Sequence, residues 1–290
     1  MFPSRRSVIL AFSLLLWPSA WHGAWAEAQS PAPLDRCNRG QFRVILDVGH
    51  TAEVPGAMSA RGVGEFKFNL RLANEIKQRL VDAGFTSTAV LITAGPARPG
   101  LIKRVALANR SPADLFLSIH HDSVPTAFKQ TWEYEGKRNQ FSDRFKGHSI
   151  FVSYDNSERQ ASVLFGHLLG EQLKTRGLQY TPHYTEPFMG NRQRTLVDAD
   201  AGVYRYDQLI VLRMTRMPAV LLEAGSIINR DEELLMASPE RQLLIGDAVT
   251  QAVELFCAAR SPRDPGQHPP RARRPAKPAA LSAAAANARR

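Results

Sequence analysis

Apolar positions change their spacing along the chain, and each change marks an element. Residues 43–48 (Arg-Val-Ile-Leu-Asp-Val) form a short apolar run closed by Gly49, the pattern of a buried strand. From Glu65 the spacing lengthens. Phe66, Leu70, Ala73, Ile76 and Leu80 recur every three or four residues and Gly84 follows, so 65–82 is predicted as an amphipathic helix. Further strands are predicted at 89–92, 114–119, 149–152, 209–212 and 219–222, and further helices at 100–110, 161–174 and 243–256. The alternation predicts an α/β protein: a single three-layer domain, with a mostly parallel twisted sheet and helices on both faces. Residues 124–147 and 180–204 fit neither period. They are polar, dotted with aromatics and long for connections, so they are expected to be functional loops or lids.

Composition separates the ends of the chain from its body. The chain has 290 residues and a formal net charge of +10, from 37 Lys+Arg against 27 Asp+Glu. Residues 261–290 hold seven basic residues against Asp264 alone, hence +6, and Arg5 and Arg6 add two more. The stretch 27–260 is left near neutral at +2, which opposes a nucleic-acid partner. Arg5 and Arg6, the apolar run 8–17 and the Ala24-Trp25-Ala26 cleavage pattern read as an export signal over 1–26. Periplasmic localisation is expected, by the general or the twin-arginine route. Residues 27–42 are read as a lead-in and 43–259 as the folded domain. With six prolines, nine alanines and no aromatic residue, 260–290 reads as a disordered basic tail that contacts anionic envelope polymers or serves as a solubilising appendage. Outside the N-terminus no apolar run approaches the roughly 20 residues of a spanning helix, so no transmembrane span is expected in the mature chain. Export exposes the two cysteines, Cys37 and Cys257, to an oxidising compartment. One precedes the first strand and the other closes the last helix. They are read as a disulfide, with two free thiols as the alternative.

Candidate chemistry collects where an open α/β sheet presents it, at the carboxyl ends of strands. Asp47, Gly49 and His50 follow the first strand; His120, His121 and Asp122 follow the third; Glu223 ends the last; Glu65 opens the first helix near the same edge. Two imidazoles and a carboxylate form a catalytic zinc set with one position left for water. A further carboxylate such as Glu223 can take a proton from that water. Each residue alone has an ordinary structural role; the set is what points to chemistry.

These residues also carry a resemblance. Residues 45–50 (Ile-Leu-Asp-Val-Gly-His), Gly64-Glu65 with Asn69, Leu70 and Ala73, residues 114–120 (Asp-Leu-Phe-Leu-Ser-Ile-His), and residues 217–225 with Asn229 and Glu232 beyond are similar to four ordered motifs of one family. That family is the zinc-dependent N-acetylmuramoyl-L-alanine amidases whose periplasmic members split daughter cells. The resemblance runs from about Val44 to Phe256. It implies one zinc ion held by His50, Glu65 and His120, with Glu223 as the general base, and His120 rather than His121 as the second histidine ligand. It implies hydrolysis of the amide between N-acetylmuramic acid and L-alanine in peptidoglycan, with an activator protein as a further expected partner. Val48, Thr51, Ala52 and Ser226 depart from the family pattern without removing a ligand. Some relatives plug their zinc with an inserted helix. Here Glu186, Asp198 and Asp200 would be the plug's candidate ligands, and His183 a substrate contact, with an ordinary loop over 180–204 as the alternative. Two other functions remain open: a zinc peptidase acting within the stem peptide, and a non-catalytic peptidoglycan-binding protein.

Overall fold

The computed structural model describes residues 36–261. The predicted export signal, most of the lead-in and nearly all of the basic tail lie outside the described residues. Seven strands make one sheet in the order β2 (Thr88–Leu91), β1 (Val44–Val48), β3 (Leu115–Asp122), β9 (Ala219–Ser226), β6 (Ser149–Val152), β8 (Val203–Arg205) and β7 (Thr195–Asp198). The first four are parallel, as are β6 and β8, while β6–β9 and β7–β8 are antiparallel. Successive strand residues point to opposite faces, and both faces here are apolar. Val44, Leu46, Val48, Leu115, Leu117 and Ile119 pack against helices α1 (Glu65–Asp82), α3 (Arg159–Thr175) and α6 (Pro239–Arg260). Ile45, Phe116 and Leu221 pack against α2 (Ala97–Arg110) and α4 (Ile210–Met214). Burial on both faces explains why these strands read as continuous apolar runs rather than alternating ones.

Three expectations need correction, and a fourth observation bears on the expected lack of a membrane span. Residues 209–212, predicted as a strand, lie largely in α4. Both neighbours of β9 are occupied by β3 and β6, so the run lies across the sheet face instead, burying Val211 and Leu212. Short apolar runs do not distinguish the two outcomes by period. Strands β3 and β9 extend beyond their predicted ends, so His120, His121, Asp122 and Glu223 lie within strands rather than after them. The stretch 124–147 contains a hairpin, β4 (Gln130–Tyr134) with β5 (Lys137–Phe141), turned at Glu135 and Gly136, which have φ of 50° and 72°. Positive φ at both central positions is the two-residue hairpin geometry that matches strand twist. Finally, α6 is long and apolar enough by composition to span a membrane. Its apolar residues are core instead: Ile245, Val249, Val253 and Phe256 are buried against α1, α3 and the sheet.

Cys37 and Cys257 form a disulfide, with Cα atoms 5.2 Å apart and a sequence separation of 220. Cys257 lies beside Phe42 and Asp114, which precede β1 and β3. The bridge therefore sits at the amino edge of these parallel strands, opposite the edge where His50 emerges.

Candidate active site

His50 leaves β1 with φ 65°, a left-handed conformation uncommon outside glycine. What holds it is a buried ion pair. Asp47 faces α2, where Arg104 donates through Nη1 to both of its carboxylate oxygens, at 3.0 and 3.2 Å. The same guanidinium also donates to the carbonyls of Val48 and His50. Ser118 Oγ completes the network with a 2.7 Å bond to Asp47. Glu65, at the first position of α1, is 4 % exposed. Its carboxylate accepts hydrogen bonds from the Ala57 amide (3.1 Å), Asn69 Nδ2 (3.1 Å) and the His121 amide (3.3 Å).

The two histidines meet this carboxylate from opposite sides. His50 Nε2 is 3.0 Å from Oε2, and His120 Nδ1 is 2.9 Å from Oε1. The three ligand atoms all lie within 4.8 Å of one another. Four-coordinate zinc with bonds near 2.1 Å separates its ligand atoms by about 3.4 Å, so small shifts suffice. Two glycines make room. A side chain at Gly49 would strike the His120 ring, and one at Gly56 would strike Glu65 and His50. Burial alone would raise the Glu65 carboxyl, but bonds from His120 and His50 outweigh it and hold the group well below the usual carboxylate range.

Strand alternation separates His120 from His121. His120 lies on the α2 side with Ser118, directly in register with Glu223 on β9. His121 turns to the other face, where its Nδ1 is 2.8 Å from Asn69 Oδ1 and its ring packs on Phe68 of α1. Burial pushes its pKa down to about 3.

Glu223 Oε2 is shielded from solvent and has no hydrogen-bond partner among the described residues. Burial, then the charges of Asp122 and Glu65, push its carboxyl well above the usual range. Asp122 is raised to about 6 by burial, opposed by Arg192 and by the hydroxyl of Tyr184, which lies 2.9 and 2.8 Å from its two oxygens. Three carboxylates thus converge on two histidines and one arginine. An orphaned oxygen amid excess negative charge, beside a His-Glu-His donor set, fits a divalent cation.

The segment 180–204 is not a helical plug. It comprises two 3-10 turns, Pro182–Thr185 and Pro187–Arg192, followed by β7 and a turn into β8. Asp198 accepts from His167 (2.7 Å) and the Asp200 and Ala201 amides, while Glu186 and Asp200 are exposed. None of the three joins the cluster, which comprises only His50, Glu65 and His120 among the described residues. His183 is buried, with Nδ1 2.5 Å from Thr181 Oγ1 and Nε2 3.6 Å from Asp122.

Four residues escaped sequence reasoning: Arg104, Tyr184, Arg192 and Arg194. Only Arg104 left a signal, as a charge on the stripe of Leu101, Val105 and Ala108. The other three sit in the segment that lacked a period. They line a cavity of about 340 Å³ on one side of His50 and His120, with a second of about 200 Å³ on the other.

Comparison with known proteins identifies the family of this chain and its fold. The sequence profile described as N-acetylmuramoyl-L-alanine amidase matches residues 44–255. The chain is 24% identical over 236 residues to N-acetylmuramoyl-L-alanine amidase AmiA of Escherichia coli, covering 76% of this chain and 78% of that protein. In fold it is similar to the amidase Ami1 of Mycobacterium smegmatis, with a TM-score of 0.57 at 19% identity over 76% of this chain and 98% of that one. It is also similar to the CwlD amidase of Clostridioides difficile, solved in complex with the GerS lipoprotein. The TM-score there is 0.52 at 19% identity, over 75% of this chain and 99% of that one. With the profile spanning most of its length, the chain belongs to the N-acetylmuramoyl-L-alanine amidase family.

Proposed function

We propose that this enzyme hydrolyses the amide between N-acetylmuramic acid and L-alanine in peptidoglycan by means of one zinc ion held at His50, Glu65 and His120. Zinc bound by His50, Glu65 and His120 would supply Lewis-acid chemistry to the carbonyl and to the attacking water. Glu223 takes a proton from that water at its unpartnered Oε2 and delivers it to the leaving nitrogen of L-alanine. Glu65 is kept ionised by its hydrogen bonds, and Asn69 orients it by donating to its Oε1 and to the Gly49 carbonyl. Arg104 holds the His50 backbone in its left-handed conformation, which aims the ring at Glu65. Such supporting contacts govern metal affinity as ligands do.

The observation that carries this reading is the convergence of three ligand atoms within 4.8 Å beside a buried, unpartnered glutamate oxygen. The export signal read over 1–26 supports a reaction in the periplasm, and the +6 tail suits retention on an anionic envelope. The solved complex of CwlD with a lipoprotein supports an activator protein as a partner. The test is digestion of purified peptidoglycan with and without chelator, followed by mass analysis. Intact stem peptides and uncut glycan strands, lost with chelator and restored by zinc, are expected. Fragments cut within the peptide would identify a peptidase instead.

A further inference from the structure

The cleft is asymmetric in charge about the two histidines. On one side, the 200 Å³ cavity is lined by Thr51, Val54, Leu101, Leu209 and Val211, with Asp47 and Arg104 neutralised as a buried pair. On the other, the 340 Å³ cavity is lined by Arg192 and Arg194 with Tyr184, Tyr206 and Glu223. Every hydrogen bond that Arg192 makes to a described residue uses Nη2: to Asp122 at 3.3 Å, Ser123 O at 2.9 Å and Tyr184 Oη at 3.1 Å. Its side chain is 42% exposed, so the rest of its guanidinium remains available. Arg194 lies with its guanidinium carbon 3.8 Å over the Tyr206 ring. Its Nη1 donates only to the carbonyls of Asn191 (2.8 Å) and Gln193 (2.7 Å), and its buried Nε has no partner. No carboxylate among the described residues pairs with Arg194. A half-buried, stacked guanidinium with a buried, unpartnered Nε and no counter-ion is placed to receive one.

We propose that Arg192 and Arg194 form a carboxylate-binding subsite that takes the peptide half of the substrate, leaving the neutral side for the glycan half. The inference rests on the amidase reading. In that substrate the muramic carboxyl is consumed in the scissile amide, so the glycan half there is uncharged, whereas the peptide half carries free carboxylates. Arg194 would form charge-assisted bonds with one of these, and Arg192 would hold the same anion from the other flank. The orientation that results puts the leaving nitrogen on the Glu223 side of the histidines, where the proton is delivered.

The experiment is calorimetric titration of the full chain with two synthetic stem peptides, one with free carboxylates and one with all of them amidated. The free acid should bind about tenfold tighter, the scale of a hydrogen bond to a charged group. Arg194→Gln should erase the difference and Arg194→Lys restore part of it. Equal affinity of the unaltered chain for the two peptides overturns the proposal, as does a difference that survives in both Arg192→Gln and Arg194→Gln. Should Arg194→Gln fail to fold, Arg194→Lys and the two-peptide comparison on the unaltered chain decide it. Hydrolysis of an intact muropeptide is measured alongside. Discrimination between the peptides without hydrolysis overturns the amidase reading and leaves the subsite standing.

Discussion

The two halves of the sheet achieve order in different ways. On the side of β1, β3 and β9, parallel strands carry His120 and Glu223 and lead into His50, and their backbone is tied by in-register ladders and the Asp47–Arg104 pair. On the side of β6, β8 and β7 the strands are three or four residues long and partly antiparallel. There the wall of the cleft is held by side chains: Tyr184 on Asp122, Arg192 on Asp122 and Ser123, Tyr204 Oη on the Thr181 carbonyl at 2.6 Å. The first half positions chemistry through backbone that cannot shift without breaking a ladder. The second positions a recognition surface through contacts that single substitutions can remove.

The largest expected effect separates chemistry from metal holding. Glu223→Gln should lower peptidoglycan hydrolysis by about 10²–10⁴-fold while zinc content, read by mass spectrometry, stays unchanged. Loss of zinc along with activity would show that Glu223 belongs to the metal-holding frame. Next, Arg104→Met leaves Asp47 buried without its partner and should cost about 3–5 kcal/mol in urea unfolding. It should also weaken zinc binding, since the His50 carbonyl loses its donor. Removing the disulfide by Cys37→Ala with Cys257→Ala closes no loop in the unfolded chain. Stability should fall by about 2–5 kcal/mol with turnover per folded molecule unchanged, because the bridge lies at the edge opposite the cleft.

The smallest effect probes the second half through pH. Burial lowers the pKa of His148 to about 4, and neither ring nitrogen has a hydrogen-bond partner among the described residues. Its unfolded value is near 6.5, so the unfolded chain binds the proton more readily, and stability falls as pH drops from about 6.5 toward 4. Between pH 7 and 5 this amounts to about 2 kcal/mol. His148→Phe should flatten that part of the urea-unfolding pH profile. An unchanged profile would move the acid sensitivity to His183, also lowered to about 4 by burial and then by Arg192 and Arg144.

Legibility followed the same division. Strands buried on both faces leave uninterrupted apolar runs, so β1, β6 and the starts of β3 and β9 were evident, and with them the edge where His50, Glu65, His120 and Glu223 gather. The run at 209–212 had the same composition as a strand, and only the occupied flanks of β9 turned it into a helix. Arg192 and Arg194 follow no period because the two 3-10 turns and short strands around them are ordered by side-chain contacts with Tyr184, Tyr206 and the sequence-distant Asp122.

By itself the sequence determined the α/β alternation, the family and the four residues proposed to carry the chemistry, because each is written in local spacing or in a contiguous motif. The tertiary structure decided what spacing cannot carry. It placed His120 toward Glu65 and His121 toward Asn69. It paired Cys37 with Cys257 across 220 residues. It also gave the cleft a charged side and a neutral one. Each of these is a contact between distant segments, set by sheet order and face rather than by neighbours along the chain.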